Sequence, residues 1–376
     1  MEHSGLANYA SRSENSKGRR YKEEFYDDRS EYERDRDRII HSVSFRRLEY
    51  KTQIFVNHEG DYYRTRLTHS LETAQIARSI ARRLNLNEEL VECLALSHDL
   101  GHTPFGHTGE YVLNKLLTGF GGFDHNIQSL RIVEKLEDRY PLFKGLNLTW
   151  ETREGIIKHS SYYENSNNYI HEYFPNVVPT LEAQIIDPAD EIAYINHDID
   201  DGIEAGLISI DNLIHIPIWS DIYKKAKSAF PNVQGKKIKF KSISTLIGLL
   251  INDIVDNTIK NIHKYNIDSV EKLRNINKII VEFSEHIKEK KEKLKDFLMN
   301  NLYYHPKVME IARKSEKIIK SLFVFYNENF HLLPERYKLR INDESKERII
   351  CDYIAGMTDR FAIQEFEKFN KQSIIL

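Results

Sequence analysis

The sequence predicts a globular protein built mainly of α-helices, and its length, composition and hydrophobic periodicity lead to that prediction. The chain has 376 residues, which is enough to bury a substantial core in one large domain or two smaller ones. Hydrophobic residues make up 40% and charged residues 30%, a balance that excludes collagen-like and wholly disordered chains. The 16 glycines and 9 prolines also disfavour a turn-rich β-sandwich. Apolar residues recur at helical spacing over most of the chain.

Charge, cysteine content and targeting signals limit the partners and the compartment. The formal net charge of −3 is too close to balance to imply attraction of the whole molecule to nucleic acid or to an anionic membrane. Cys93 and Cys351 are the only cysteines, so a disulfide framework is not expected. No N-terminal apolar stretch resembles a signal peptide or reaches the length of a membrane span. We therefore expect a cytoplasmic protein with no membrane partner.

Three regions are predicted along the chain. Residues 1–30 are polar and charge-rich, with little that can be buried to offset the ordering entropy, so they are predicted to be a mobile polar arm. The basic cluster at residues 17–20 favours a solvated tail over a nucleic-acid contact, because short basic runs seldom identify such a site. Residues 31–215 are predicted to form the core, and residues 216–376 a C-terminal helical region that packs on it.

The core is predicted to hold several helices and one small β-hairpin. Apolar residues at helical spacing predict a helix over residues 35–50. Strand-favouring residues at 54–56, turn residues at 59–61 and a return at 62–63 predict the hairpin. Helical periodicity then predicts helices near residues 67–84, 90–96, 108–117, 125–138, 150–160 and 180–205. In the C-terminal region, charge runs are expected to be solvated faces of helices near residues 242–265, 270–300, 305–328 and 345–368.

Histidines are concentrated in the first half of the chain. Each one taken alone is most simply a helix cap or a residue that fills a polar gap, since His is often half-buried. Six of the 16 nevertheless fall between the first predicted helices and the middle of the sequence: His69, His98, His102, His107, His125 and His159.

The dipeptide His98-Asp99 ends a nearly all-apolar predicted helix, so an imidazole and a carboxylate would lie side by side next to buried apolar residues. Such a pair suits a divalent first-row ion or Mg²⁺ and needs further ligands from elsewhere in the chain. His197-Asp198 has the same letters but lies inside a predicted helix, where a solvated acidic face accounts for it equally well. The residues alone therefore indicate a site made of His69, His98 and Asp99 with one of several aspartates.

Longer segments of the sequence carry a family resemblance. The ordered set H…HD…D resembles the HD-domain phosphohydrolases, and the longer segments resemble bacterial deoxyguanosinetriphosphate triphosphohydrolase-like proteins over roughly residues 30–370. The resemblance implies an all-α fold that has an HD-domain helical core, a small β-hairpin and a C-terminal helical extension. The segments are FRRLEYKTQIF, YRTRLTHSLE, LSHDLGHTPFGHTGE, FDHNIQSLRI, LEAQIIDPADEIAYINHDIDD and DYIAGMTDRFA.

The resemblance implies one metal site and its ligands. By position in the motifs, the ligands fall on His69, His98, Asp99 and Asp190, with Asp187 next to the site or acting as a helix cap. Two imidazoles and two carboxylates leave coordination positions open, as a catalytic ion requires. The expected cofactor is one divalent ion of the Mn²⁺, Mg²⁺ or Fe²⁺ type.

The resemblance also implies proton-transfer residues. They fall on His107 with Glu110, and on His125. A carboxylate one helical turn from an imidazole can fix its tautomer and raise its basicity, so His107 and Glu110 are expected to form an acid/base pair. A purely structural role for His107 is the alternative.

Five substrate contacts follow from the same resemblance. Arg66, in YRTRLTH, matches a position that contacts the phosphates, where bidentate geometry favours Arg. His102 is a further candidate on the phosphate side. The sugar contacts fall on Gln53, Asp198 and Tyr194, and the Tyr194 ring is expected where a ribose 2′-hydroxyl would have to sit.

One position departs from part of the superfamily. Glu191 follows Asp190, whereas the vertebrate branch carries a Lys at that place. The charge of a triphosphate must then be balanced by Arg66, the ion and C-terminal basic residues such as Lys320 or Arg360.

The implied reaction is hydrolysis of a deoxynucleoside triphosphate (dNTP) to a deoxynucleoside and inorganic triphosphate, with water attacking the α-phosphorus. Two alternatives stay open: another HD-type phosphohydrolase, such as a nucleotidase or a phosphodiesterase, and a regulator that binds nucleotide or single-stranded DNA with weak catalysis. Family members form homo-oligomers, commonly hexamers or tetramers, and some respond to dNTP or single-stranded DNA bound away from the chemistry. The expected partners are therefore a dNTP substrate, further copies of the chain, and an allosteric dNTP or single-stranded DNA.

Overall fold

The structure of the chain is a computed structural model, and it describes residues 5–53, 63–160, 171–233 and 235–372. Across these ranges the regular structure is helical, and the only β feature is an isolated antiparallel bridge between Thr52 and Thr65. The predicted all-α fold class is confirmed. The predicted hairpin falls almost wholly on residues 54–62, which lie outside the described residues.

The first half of the chain holds helices α1 to α9, most of which begin at a polar capping residue. A side-chain oxygen accepts a hydrogen bond from a first-turn amide at Ser30, Ser42, Thr65, Asn87, Asp124, Thr149 and Thr180. The helices are α1 (Glu31–Ile40), α2 (Val43–Arg47), α3 (Arg66–Arg83), α4 (Glu88–Ser97), α5 (Gly106–Leu116), α6 (His125–Arg131), α7 (Trp150–Ile157), α8 (Leu181–Gln184) and α9 (Ile186–Glu204).

The second half continues with helices α10 to α18. Two helices predicted as continuous are each divided, since α13 and α14 replace one and α17 and α18 replace the other. Asn277 ends α13 in the left-handed conformation, a common way for a helix to stop. Among the described residues, no helix is both long enough and apolar enough to cross a membrane. The helices are α10 (Ile210–Leu213), α11 (Pro217–Ala229), α12 (Lys236–Lys264), α13 (Val270–Ile276), α14 (Glu285–Leu298), α15 (Pro306–Glu328), α16 (Glu335–Lys338), α17 (Lys346–Ala355) and α18 (Asp359–Gln372).

Two buried apolar clusters hold these helices together. The larger cluster joins α1, α3, α4, α7 and α9 to α11, α12 and α14. The second joins α5 to α15, α17 and α18, through residues that include Val112, Leu113, Leu322, Ile350 and Ala362. Each cluster therefore takes residues from both the predicted core and the predicted C-terminal region. The domain limits stay a prediction, and the packing of α5 brings C-terminal helices next to the histidine-rich segment.

The N-terminal arm packs against the core over much of its length. Ser11 Oγ donates a hydrogen bond to Glu182 Oε2 at 2.9 Å, and Ser11 is 5% exposed. Arg19 pairs with the buried carboxylate of Asp35, and Lys17 Nζ lies 3.5 Å from the centroid of the Trp150 ring. The expectation that this arm buries little is therefore wrong for Ser11 and Arg19. Carboxylates and a ring face of the core contact these polar side chains.

Candidate active site

Three packed helices bring the predicted metal ligands together. His69 lies in the first turn of α3, which Thr65 caps. His98 is the residue after α4, a helix buried on most of its surface, and Asp99 follows it. Asp190 lies in the first half of α9. Both α4 and α9 pack on α3, so four residues from three parts of the chain meet at one place.

The side chains of these four residues converge. His69 Nε2 lies 2.8 Å from Asp190 Oδ1 and 3.9 Å from Asp99 Oδ2. His98 Nε2 lies 3.4 Å from Asp99 Oδ1 and 3.7 Å from Asp190 Oδ1. One ligand atom from each of His69, His98 and Asp99 lies within 4.8 Å of the other two. We call these four residues, His69, His98, Asp99 and Asp190, the HD cluster.

The donor set of the HD cluster fits a divalent ion. His98 Nε2 is buried and completes no hydrogen bond among the described residues, whereas its Nδ1 lies 2.7 Å from the carbonyl oxygen of Ala95. A histidine held through one ring nitrogen in this way presents the other nitrogen to a metal. Two imidazoles and two carboxylates suit Mg²⁺ or a first-row divalent ion.

The electrostatics of the HD cluster favour positive charge between its carboxylates. Burial favours the neutral ring of His98, but Asp99 and Asp190 outweigh burial and raise the pKa of His98 to about 9. Burial disfavours the charged form of Asp99, but His98 and Arg66 outweigh it and hold the pKa of Asp99 well below its usual range. A bound cation would experience the same negative potential.

Arg66, the predicted phosphate contact, lies against the HD cluster. Its Nη1 donates a hydrogen bond to Asp99 Oδ2 at 2.9 Å, and the residue is 2% exposed. Its Nε has no hydrogen-bond partner among the described residues. A Cβ atom at Gly106 would lie 3.2 Å from Arg66 Nη2, and Gly106 has a φ of +58°. Glycine at 106 therefore permits both the left-handed turn and the close approach to the guanidinium.

The predicted proton-transfer residues meet at Glu110. Its Oε1 accepts a hydrogen bond from the backbone amide of His125 at 3.0 Å and lies 2.9 Å from His125 Nδ1. His107 Nδ1 lies 3.6 Å from Glu110 Oε2, and its side chain is 79% exposed. His102 stacks on His125 with ring centroids 4.1 Å apart, while its Nε2 lies 3.2 Å from Asp99 Oδ1. His102 therefore connects the Glu110–His125 pair to the HD cluster.

The pKa values of the two stacked rings are shifted in opposite directions. Burial favours the neutral ring of His125, but the hydrogen bond and the charge of Glu110 outweigh it and raise the pKa of His125. Burial, together with the nearby Arg66, holds the pKa of His102 well below its usual range. A raised pKa at His125 beside a lowered pKa at His102 favours His125 as the ring that carries a proton, as expected of a general acid beside a metal site.

The predicted sugar contacts are buried or half-buried polar groups. Gln53 Oε1 is buried and has no hydrogen-bond partner among the described residues. Tyr194 lies one turn beyond the cluster's aspartate on α9, and its hydroxyl lies 3.4 Å from Glu191 Oε1. Asp198, a further turn along, is buried; one of its carboxylate oxygens contacts the Tyr303 hydroxyl, and the other is unpaired among the described residues. The unpaired acceptors of Gln53 and Asp198 suit hydroxyl donors.

His197 belongs to the surroundings of the HD cluster, a role that the sequence analysis did not assign to it. Its Nδ1 lies 3.4 Å from His69 Nδ1, and its Nε2 contacts the carboxylate of Glu72. Both His197 and Asp198 are buried, so the alternative of a solvated acidic face is wrong. The spacing of seven residues from Asp190 to His197 places both on one helix face, which is the signal that could have identified this residue.

Asp187 and His159 form a second pair next to the HD cluster. Asp187 Oδ1 lies 2.7 Å from His159 Nδ1 and accepts a hydrogen bond from the amide of Ser160 at 2.8 Å. The ring centroids of His159 and His98 lie 5.0 Å apart. Asp187 therefore contacts His159, whose ring lies next to the proposed ligand His98.

Two lysines of α14 pair with Glu191, the residue after Asp190 on α9. Glu191 contacts Lys291, and its Oε1 lies 3.0 Å from Lys295 Nζ. Lys320, one of the C-terminal basic residues considered from the sequence, lies on an exposed helix face and pairs with Glu316. Arg360, the other, is exposed. The lysines of α14 belong to no motif, so sequence reasoning had no signal that could identify them.

Comparisons with known proteins agree with this geometry. The sequence model of the HD domain matches residues 66–195, and that of the Phosphohydrolase-associated domain matches residues 281–368. Three curated relatives bear the name deoxyguanosinetriphosphate triphosphohydrolase-like protein. The one from Geobacter sulfurreducens is 55% identical over 98% of this chain and 96% of its own length. Those from Ralstonia pickettii and Rickettsia bellii are 48% and 46% identical, over 96% of this chain and over 94% and 97% of their own lengths.

The chain has a helical core in which the residues of the H…HD…D set come together, and the HD domain matches this part of the sequence. These two features place the protein in the class of HD-domain hydrolases, whose members are metal-dependent. The HD cluster is a group that can bind such a metal. Within that class, the chain belongs to the deoxyguanosinetriphosphate triphosphohydrolase-like family. The resemblance seen in the sequence motifs is therefore confirmed.

Proposed function

We propose that the protein hydrolyses dNTPs to a deoxynucleoside and inorganic triphosphate. The observation that carries this proposal is the position of the Glu110–His125 pair, which reaches the HD cluster through the stacked ring of His102. A phosphate held at the HD cluster would then have a proton donor one imidazole away. The names of the relatives, all described as triphosphohydrolase-like, support the same reaction.

The HD cluster would hold the cofactor in this proposal. A divalent ion of the Mn²⁺, Mg²⁺ or Fe²⁺ type, when bound there, would neutralise phosphate charge and make the α-phosphorus more electrophilic. Arg66 fixes Asp99, and Ala95 fixes the ring of His98, so the protein sets the direction of these two side chains before substrate binds.

Proton transfer is assigned to Glu110, His125 and His107. Water adds to the α-phosphorus, and the bond from phosphorus to the 5′-oxygen breaks. His125, whose pKa is raised by Glu110, would give its proton to the departing 5′-oxygen. His107, exposed and within reach of the same carboxylate, would help to move the proton of the attacking water.

Substrate binding is assigned to groups on two sides of the reacting phosphate. Arg66 and His102 would contact phosphate oxygens. Lys291 and Lys295, which both pair with Glu191, would supply further positive charge. The sugar would contact Gln53, Tyr194 and Asp198; among the described residues, Gln53 and Asp198 each have an unpaired acceptor suited to its hydroxyls.

A product assay tests the proposal. The purified protein is incubated with each dNTP singly and with all four mixed, with Mn²⁺ or Mg²⁺, and with or without single-stranded DNA. We expect deoxynucleoside and intact inorganic triphosphate in equal amounts. Orthophosphate or pyrophosphate as the first product would indicate the other HD-type activities, a nucleotidase or a phosphodiesterase. Tight nucleotide binding without turnover would indicate a regulator.

The same assay, with sizing of the protein, addresses the proposed partners. We propose a homo-oligomer, either a hexamer or a tetramer, in the cytoplasm, with an allosteric dNTP or single-stranded DNA as an activator. Faster turnover of one dNTP when a second dNTP or single-stranded DNA is added would support activation away from the site. Light scattering with and without nucleotide would give the number of subunits.

A further inference from the structure

Asp359 is the first residue of α18, and its buried carboxylate contacts the backbone next to the proposed active site. Asp359 is 5% exposed, and its Oδ1 accepts a hydrogen bond from the backbone amide of Phe105 at 2.9 Å. Its Oδ2 accepts from the amide of Thr52 at 2.9 Å and also contacts the Thr52 hydroxyl. Thr52 precedes Gln53, and Phe105 lies two residues before His107. The side chain of Asp359 therefore connects the segment that contains Gln53, a proposed sugar contact, with the segment that contains His107, a proposed proton-transfer residue.

The segment at Phe105 needs such an anchor. Phe105 adopts φ 62° and ψ 25°, a left-handed conformation that is unfavourable for a residue with a Cβ atom, and α5 begins there without a side-chain cap. Conformations of this kind persist only where the surrounding structure fixes them. A Cβ at the next residue, Gly106, would lie 3.2 Å from Arg66 Nη2 and 3.7 Å from the carbonyl oxygen of Gln53. A shift of Phe105 would therefore disturb the packing of Gly106 on Arg66 and on Gln53.

Two cations hold the same C-terminal junction against the site. Lys51 is 2% exposed, and its Nζ donates to the carbonyl oxygen of Ala355 at 3.0 Å while it also contacts that of His102. Arg47 Nη1 donates to the carbonyl oxygen of Gly356 at 2.9 Å. The turn between α17 and α18 is thus attached to the residues before Gln53 at several points.

We infer that Asp359 is a positioning residue for the reaction. It contacts no proposed ligand or substrate group; it fixes Gln53 and the start of α5 relative to each other, so that sugar recognition and proton transfer both depend on the C-terminal region. This inference rests on the proposed function, because Gln53 and His107 have their assigned roles only in that reaction.

The test compares Asp359→Asn with a matched control. Asn can accept from only one of the two amides that the carboxylate serves, and it leaves the size of the side chain almost unchanged. The control is Asp35→Asn, because Asp35 is buried on α1 and its Oδ2 likewise accepts from the amide and the hydroxyl of one threonine, Thr149, at 2.8 and 2.7 Å. Both variants weaken a contact with the amide and hydroxyl of one threonine, and Asp35→Asn also weakens the ion pair with Arg19, but only Asp359 lies next to the proposed active site.

Two readouts are needed, of which one does not depend on activity. Hydrogen exchange is followed at the amides of Thr52 and Phe105, and kcat, KM and the preference for deoxyribose are measured with metal content as a check. We expect Asp359→Asn to speed exchange at both amides, to lower kcat by on the order of 10²-fold as a displaced site does, and to weaken the deoxyribose preference. Metal content should stay at the wild-type level. Asp35→Asn should lower thermal stability alone.

Each other outcome has a definite meaning. Unchanged exchange at Thr52 and Phe105 in Asp359→Asn would overturn the positioning role, and so would faster exchange with unchanged kcat and sugar preference. The same losses in Asp35→Asn would show general destabilisation and also overturn it. If Asp359→Asn does not fold, Thr52→Val, which removes only the hydroxyl contact, should show a smaller change in the same direction. A wild type that releases no inorganic triphosphate would refute the proposed function instead, whatever the exchange shows.

Discussion

Glu110 holds His125 more closely than it holds His107. The distance from Glu110 Oε1 to His125 Nδ1 is 2.9 Å, whereas the distance from Oε2 to His107 Nδ1 is 3.6 Å. The sequence indicated His107 as the partner because the two residues are one helical turn apart on α5. His125 instead comes from the start of α6, and its own backbone amide also donates to the carboxylate. A carboxylate bound at Nδ1 leaves Nε2 of His125 to act on a substrate.

The pH dependence of turnover should follow from this contact. Glu110 raises the pKa of His125, so the ring keeps its proton to higher pH, and activity that needs this proton falls as pH rises through that pKa. In Glu110→Gln the charge is lost, and the falling limb of the kcat profile should move to lower pH. Turnover of each dNTP across the pH range measures the shift.

The histidine substitutions separate the two rings that Glu110 faces. Loss of a general acid typically costs 10² to 10⁴ in rate, so His125→Ala should lose about that factor while it keeps its metal. His107→Ala should lose less, because its ring is exposed and more distant from the carboxylate. Near wild-type turnover in His125→Ala would exclude it as the acid.

Metal content should depend on the HD cluster and not on its neighbours. The double change His98→Ala, Asp99→Ala removes two of the four proposed ligands and should abolish stoichiometric binding of Mn²⁺ or Mg²⁺, as measured by elemental analysis and calorimetry. Asp190→Ala should be far more damaging than Asp187→Ala, because Asp187 faces His159 rather than the ligand atoms. Greater damage from Asp187→Ala would move the fourth ligand three residues upstream.

The lysines of α14 should affect substrate binding more than turnover. Lys295→Met leaves the charge of Glu191 less balanced next to an incoming triphosphate, so KM for the dNTP should rise about tenfold, in line with the loss of one hydrogen bond to a charged group. Lys320→Met is the control, since this lysine is exposed and pairs with Glu316 on its own helix. Equal KM values for both variants would remove Lys295 from the proposed phosphate contacts.

The sequence predicted the parts of the fold and site that are encoded locally. Helix periodicity located most helices, and the H…HD…D order, read through the family resemblance, named four residues that the structure brings together. Pairings between distant segments could not be read in this way. The Asp359–Thr52 contact spans 307 residues and the Glu191–Lys291 contact spans 100, and neither lysine nor aspartate stands in a pattern that names its partner. Tertiary packing decides such pairs, and propensity carries no information about them.

Gly101 permits the close approach of α6 to the segment that follows α4. A Cβ atom at Gly101 would lie 2.1 Å from the carbonyl oxygen of His125 and 2.3 Å from the amide nitrogen of Ser129, so α6 can approach only a glycine. Gly101→Ala should therefore lower the free energy of unfolding by about 1–3 kcal/mol, as overpacking does, and should reduce kcat because His125 moves. Gly248→Ala is the control: no atom of the described residues lies within 4 Å of its added Cβ in α12, so it should stabilise the protein slightly. Urea unfolding of both variants measures the difference, and equal stability of the two would contradict the packing argument.

Selection of deoxyribose should depend on the ring of Tyr194. This residue lies one helical turn after Asp190, so we expect its side chain to project beside phosphates held at the HD cluster, at about the depth of the sugar. A ring in contact with C2′ leaves no room for an added hydroxyl, and a hydroxyl forced into that space would also lose its water. Tyr194→Ala should lower dNTP turnover and raise the relative rate on the matching ribonucleotide. Tyr194→Phe should keep the preference, because the hydroxyl lies 3.4 Å from Glu191 and is the only group removed. If the purified Tyr194→Ala variant keeps the full preference for deoxyribose, the ring of Tyr194 serves only in helix packing, and other residues select the sugar.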